Sequence, residues 1–219
     1  MMADHCLLYY ITDRGQFRGD EVSRRQLLLA KIADAALAGV DYIQLREKDL
    51  GARELEILAR EMAAAVRENS TSTRFLINSR TDVALAVRAD GVHLRTDDVA
   101  PRDVRRALEA RNPQGSWAGQ FLVGASCHVV DDVLRAESEK ADFVVFAPVF
   151  GKHGPSATEP TGLAALREAC RAKVPVLALG GITPDNAVSC LEAGAAGIAG
   201  IRLFQENKIE DVVRALRAL

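Results

Sequence analysis

A strand-length apolar run, a turn and then a helix-length amphipathic stretch recur eight times within 219 residues. The runs fall at 8–12, 42–46, 75–79, 91–94, 122–127, 143–147, 176–181 and 198–202. Strands that alternate with helices must pair in parallel, because each helix carries the chain back across the sheet. Eight such units at this length predict a closed (β/α)8 TIM barrel, a single domain over residues 1–219. In that architecture chemistry gathers where the strands end, so the polar residues at those ends are the ones to read.

The segments between the runs agree with this reading. Ser23 with Gln26 three residues on predicts a capped first helix, Leu29, Ile32 and Ala36 give its apolar face, and Gly39 stops it. Further helices are predicted near 52–68, 82–87, 101–109, 130–140, 163–172, 185–192 and 209–216. Phe143-Val144-Val145-Phe146 is apolar on both faces, as a barrel wall covered by helices requires. No sequence repeat underlies the eightfold rhythm. Loops 13–20, 112–120 and 151–162 exceed what connection needs; the last is either a ligand grip or a surface loop.

Lys plus Arg number 28 against 30 acids, for a net charge of −2. That balance points to no nucleic acid and no membrane as partner, while small phosphorylated ligands stay open because local charge recognises them. Cys6, Cys127, Cys170 and Cys190 lack metal-ligand spacing and read as reduced thiols. With no secretory signal or membrane-length run, the expected location is cytoplasmic.

Each strand end carries candidates. Alternation puts Gln44 and Arg46 on one face, with Lys48 just beyond, a set suited to an oxyanion; surface pairs Arg46–Glu47 and Lys48–Asp49 are the alternative. Asn78-Ser79 closes the third run. His93 lies within the fourth as a hydrogen-bonded wall residue, and Asp97-Asp98 beyond it offers either a magnesium ligand or helix-start charge. Ser126 and His128 share a face in the fifth, without the spacing of a hydrolase triad. His128 is the candidate for proton transfer, with helix capping as its alternative. Gly180-Gly181 and Gly200 with Arg202 end the last two strands, where barrels of this kind bind phosphate.

In this order, Gln44-Leu45-Arg46-Glu47-Lys48, Gly91-Val92-His93-Leu94, Gly124-x-Ser126-x-His128 and Gly180-Gly181-Ile182 resemble the thiamine-phosphate synthase and thiazole tautomerase superfamily. The resemblance runs over nearly the whole chain. It implies a transferase that joins hydroxymethylpyrimidine diphosphate to thiazole phosphate as pyrophosphate leaves with Mg2+. It implies Arg46, Lys48 and Asn78 on the diphosphate, Asp98 on magnesium, Gln44 and Ser126 at the pyrimidine, and Gly181 at the thiazole phosphate. Lys48, Ser126 and His128 form the expected catalytic set. Lys152, Gly180, Gly200 and Arg202 complete substrate binding, and a homodimer is compatible.

The sequence departs from the synthase pattern in four places. Ser79 stands where a second metal-binding acid is usual, and Arg95-Thr96 replaces Gly-Gln. Gly151-Lys152-His153-Gly154-Pro155 replaces Thr-x-Thr-Lys, so that Lys152 stands in for the phosphate-gripping lysine, and Arg202 replaces a serine. Two other readings therefore accompany the synthase: a metal-independent thiazole tautomerase using His128, and a non-catalytic barrel that binds a phosphorylated ligand.

Overall fold

The computed structural model describes residues 5–111, 120–151 and 159–219. Lys152 and most of the 151–162 loop lie outside the described residues. Eight parallel strands close a barrel in chain order: β1 (Leu7–Ile11), β2 (Tyr42–Leu45), β3 (Arg74–Asn78), β4 (Gly91–Leu94), β5 (Leu122–Cys127), β6 (Phe143–Phe146), β7 (Val176–Ala178) and β8 (Gly197–Gly200), with β8 paired back onto β1. The described helices are α1 (Glu21–Leu37), α2 (Ala52–Asn69), α3 (Thr81–Ala86), α4 (Pro101–Arg111), α5 (Val130–Ser138), α6 (Gly162–Ala169), α7 (Pro184–Glu192), the short α8 (Arg202–Gln205) and α9 (Ile209–Arg217). This is the (β/α)8 TIM barrel that the rhythm predicts. No helix among the described residues is long and apolar enough to cross a membrane.

Two sequence expectations need correction. Helix α1 starts earlier than Ser23: Asp20 is its cap, and the Asp20 carboxylate accepts from Ser23 N at 2.8 Å. Asp caps as well as Ser, and Asp20 already sits in extended backbone, so the turn closes there. The last residues of several apolar runs, Arg46 and Ser79 among them, also fall beyond the strands, where the chain turns into the barrel mouth. Gly39, at φ +82°, follows α1 as expected.

Period-2 alternation sorts the strand residues. Leu8, Ile43, Phe75, Val92, Val123, Val144, Val176 and Ile198 pack outward under the helices in the main core. Tyr9, Ile11, Leu76, Phe143, Val145, Leu177 and Ala199 fill the barrel as a separate inner core. The Tyr42 and Phe143 rings stack with centroids 5.0 Å apart, and Tyr9 meets each of them edge-on. These rings fill the lower part of the barrel.

The closed end holds a pattern that the sequence reading missed. An aspartate immediately precedes β2, β4 and β6, and each carboxylate accepts from a peptide N–H of the preceding odd strand. Asp41 takes Leu8 N at 2.7 Å, Asp90 takes Phe75 N at 2.9 Å, and Asp142 takes Val123 N at 2.6 Å. Each also pairs with an arginine: Arg217, Arg74 and Arg105. The signal is faintly present in Val40-Asp41-Tyr42, Ala89-Asp90-Gly91 and Ala141-Asp142-Phe143.

Candidate active site

Above the aromatic layer lies a cavity of about 960 Å³, to which all eight strands or the residues just after them contribute. Gln44, Arg46, Lys48, Asn78, Ser126, His128, Gly180, Gly181, Gly200 and Arg202 all line it. Groups from sequence-distant strand ends thus share one mouth. Asp98 is not among the lining residues, although Asp97 is.

Glu47 is turned away from the mouth and buried. Thr12 Oγ1 donates to its Oε1 at 2.6 Å, and Arg14 donates to its Oε2 through N and Nη1, both at 3.0 Å. Asp49 also binds Arg14, with two contacts of 2.7 Å. Among the described residues, Glu47 and Asp49 thus both pair with Arg14. The buried ion pair anchors both flanks of Arg46, whose own N–H donates to Thr12 Oγ1 at 3.0 Å. Burial lowers the Arg46 pKa and raises that of Glu47.

Gln44 is held by a 2.7 Å hydrogen bond from its Nε2 to the Tyr9 hydroxyl, inside the barrel. Asn78 Nδ2 donates to Ser79 Oγ at 3.1 Å, and Ser79 has a left-handed φ of +61°. Asp98 Oδ2 accepts from Arg95 N at 2.7 Å, while Arg95 Nε stands 3.6 Å from Oδ1. The carboxylate thus braces the turn after β4.

The hydroxyl of Ser126 does meet an imidazole, but not that of His128. His93 Nε2 lies 3.0 Å from Ser126 Oγ. Burial holds the His93 pKa down at about 3, with Asp98 raising it and Arg46 lowering it. A group so acidic as an imidazolium is a poor general base at neutral pH. His128 is exposed; its Nδ1 bonds the Ala147 carbonyl at 2.8 Å, and Asp132 accepts from its backbone N–H at 2.9 Å. Asp132, not the His128 ring, thus satisfies the start of α5.

The turn after β6 pairs with the end of the seventh run, Val149 N to Leu179 O at 2.9 Å and Phe150 N to Gly180 O at 3.0 Å. Gly180 and Gly181 both have positive φ, and a Cβ on Gly180 would stand 2.7 Å from Pro148 Cα. On Gly181 it would stand 2.9 Å from Gly151 O. Glycine is needed here for packing, and the result is bare backbone at the mouth. Arg202 opens α8 beside it.

Sequence reasoning missed Asp13, Gln16, Arg95 and Glu206 as lining residues. The only signal for the first two was the surplus length of the 13–20 loop. Gln205 holds that loop, accepting from Asp13 N at 2.7 Å and donating to Asp13 O at 3.0 Å, and so joins the ends of β1 and β8.

The sequence profile of the thiamine monophosphate synthase family matches residues 8–204. The chain belongs to that family. The thiamine-phosphate synthase of Methanoculleus marisnigri is 39% identical over 215 residues, covering 96% of this chain and 93% of that one. That of Methanocella arvoryzae is 38% identical over 215 residues, covering 97% and 92%. Among solved structures, the thiamine phosphate pyrophosphorylase of Pyrococcus furiosus matches with a TM-score of 0.77 at 29% identity, covering 97% of this chain and 94% of that one. Family membership and the shared mouth thus rest on independent observations.

Proposed function

We propose that this chain is a thiamine-phosphate synthase, joining hydroxymethylpyrimidine diphosphate to thiazole phosphate with release of pyrophosphate. The observation that carries the reading is the convergence of Arg46, Lys48, Asn78 and the Gly180–Gly181 turn on one mouth, in a chain of this family. Arg46 and Lys48, with the Asn78 amide, take the diphosphate, where charge grows as the carbon–oxygen bond breaks. Cations fixed there stabilise that charge more than the ground state. The thiazole phosphate sits against Gly180, Gly181 and Gly200 with Arg202. Its ring nitrogen then gives its lone pair to the pyrimidine methylene, forming the new carbon–nitrogen bond. Ile11, Val145 and Leu179 make the wall apolar there and keep water from the cation. Ser126 from β5 and His128 just after it bracket the pyrimidine.

Asp98, next in the chain to the lining residue Asp97, offers one carboxylate toward a magnesium ion bound with the diphosphate. Asp98 Oδ1 carries only the 3.6 Å pairing with Arg95 among the described residues, which leaves a carboxylate oxygen for a hard cation. Among those residues no group of three or more His, Cys, Asp or Glu forms a protein cage, and magnesium is commonly held by one or two carboxylates plus substrate phosphates. Bound there, Mg2+ would neutralise charge on the departing pyrophosphate. Free Cys6, Cys127, Cys170 and Cys190 support a reducing, cytoplasmic setting.

Purified protein given both phosphorylated precursors and Mg2+ should form thiamine phosphate and pyrophosphate. No product with any divalent metal rejects the reading, and turnover of the thiazole carboxylate phosphate in chelator would move the assignment to the tautomerase. Asp98→Ala should lower the rate and flatten its dependence on magnesium concentration. Unchanged metal dependence removes Asp98 from this role.

A further inference from the structure

We propose that His93 is a positioning residue that sets the direction of the Ser126 hydroxyl: His93 Nε2–H donates to Ser126 Oγ, and Ser126 turns its own proton into the cavity. The proposal rests on the reading of that cavity as the substrate site.

Three observations fix the proton. The His93 side chain is buried in the inner wall, its ring centroid 5.7 Å from Tyr9 and 5.9 Å from Phe143. Its Nε2 has one partner, Ser126 Oγ at 3.0 Å, and its buried Nδ1 has none among the described residues. A Cβ on Gly124 would stand 2.8 Å from Nδ1, so the neighbouring backbone presses close on that side.

A neutral imidazole carries one N–H. On Nδ1 it would be a buried donor with no acceptor, the kind of orphan that native structures avoid most strongly. On Nε2 it is satisfied, and only a lone pair is left bare at Nδ1. The doubly protonated ring would again leave Nδ1–H orphaned, now with a charge among apolar walls. The neutral Nε2–H form is therefore the one the site accommodates.

The consequence falls on Ser126. A hydroxyl that accepts from His93 still has its own proton, and among the described residues no other side chain or backbone group bonds it. That proton is presented to the bound substrate. The substrate atom facing Ser126 must then be a lone-pair acceptor, either a ring nitrogen or a diphosphate oxygen. In this arrangement His93 never gains or loses a proton; it turns an ambivalent hydroxyl into a fixed donor.

The first test needs no turnover. Long-range proton–nitrogen correlation spectra of the nitrogen-15-labelled full chain, with His93 assigned by its absence in His93→Gln, should show a neutral Nε2–H imidazole from pH 5 to 8. An Nδ1–H pattern, or titration in that range, overturns the proposal even in a protein with no synthase activity. The second test is a double-mutant cycle. His93→Leu and Ser126→Ala should each lower kcat/KM about tenfold, the worth of one hydrogen bond, and the double variant should be little worse than Ser126→Ala. His93→Gln, whose side-chain amide restores an N–H near the Nε2 position, should recover most of the loss. Additive losses, or no recovery with a normally folded Gln variant, overturn it. Separate titrations of pyrophosphate and of hydroxymethylpyrimidine identify the acceptor by which one His93→Leu weakens.

Discussion

At the scale of single residues, two buried ionisable groups place the side chains that face the cavity. His93 titrates near 6.5 when unfolded but near 3 when folded. The unfolded chain therefore binds the extra proton between those values, and His93's contribution to stability is present above about pH 6.5 and drains as pH falls toward 3. Urea unfolding of the native chain between pH 7 and pH 5 should lose about 2 kcal/mol through this group. His93→Leu should show a shallower decline over the same interval. Glu47 works differently, by holding Arg14 and Thr12 and through them the backbone of Arg46. Glu47→Ala leaves Arg14 partly uncompensated in the wall and should cost about 3 kcal/mol. It should also raise KM for the diphosphate substrate, measured beside wild type at a temperature where both are folded.

At the scale of elements, the contact between the β6 turn and the β7 end constrains the mouth closely. Gly180 has φ +105° and no room for a Cβ against Pro148. Gly180→Ala should strain the backbone by about 1–3 kcal/mol and push the 147–151 turn away from 179–181. The expected outcome is a lower unfolding midpoint together with a lower kcat/KM, because Ala147 also anchors His128. An alanine variant with unchanged kcat/KM would show that this contact does not shape the site. The short helix α8 belongs to the same scale: Gln205 ties the ends of β1 and β8, and the loop after β1 owes its place at the mouth to that residue.

Across the whole molecule the two ends of the barrel do separate work. The mouth gathers side chains for ligands. The closed end gathers Asp41, Asp90 and Asp142, each stitching one strand to its neighbour, with arginines behind them. Arg217 of α9 reaches Asp41 at 2.7 Å, Gly39 O at 3.0 Å and also the Cys6 carbonyl, so the last helix latches the first strands. Arg217→Ala should lower the unfolding midpoint by about 2–4 °C per kcal/mol lost and leave KM and kcat at permissive temperature unchanged. A changed KM would mean that the ends are coupled through the wall.

Much of this was legible along the chain. The eight strands, most helix boundaries and the face shared by Gln44 with Arg46, or by Ser126 with His128, follow from periodicity, because alternation and helical repeat act between near neighbours. What stayed hidden was which distant groups would touch. Nothing near His93 in the chain names Ser126 as its partner; the pairing requires β4 to lie beside β5 with His93 opposite Gly124. Glu47 reads equally as a surface charge until closure of β1 against β2 brings Thr12 and Arg14 onto it. Asp98 gives no sign along the chain that its carboxylate accepts from the Arg95 N–H, a contact made only when the turn after β4 folds back. Local patterning settled where strands run and which way their side chains point. Partners and burial waited on barrel closure, because they depend on contacts between residues more than thirty positions apart or on how a turn folds back.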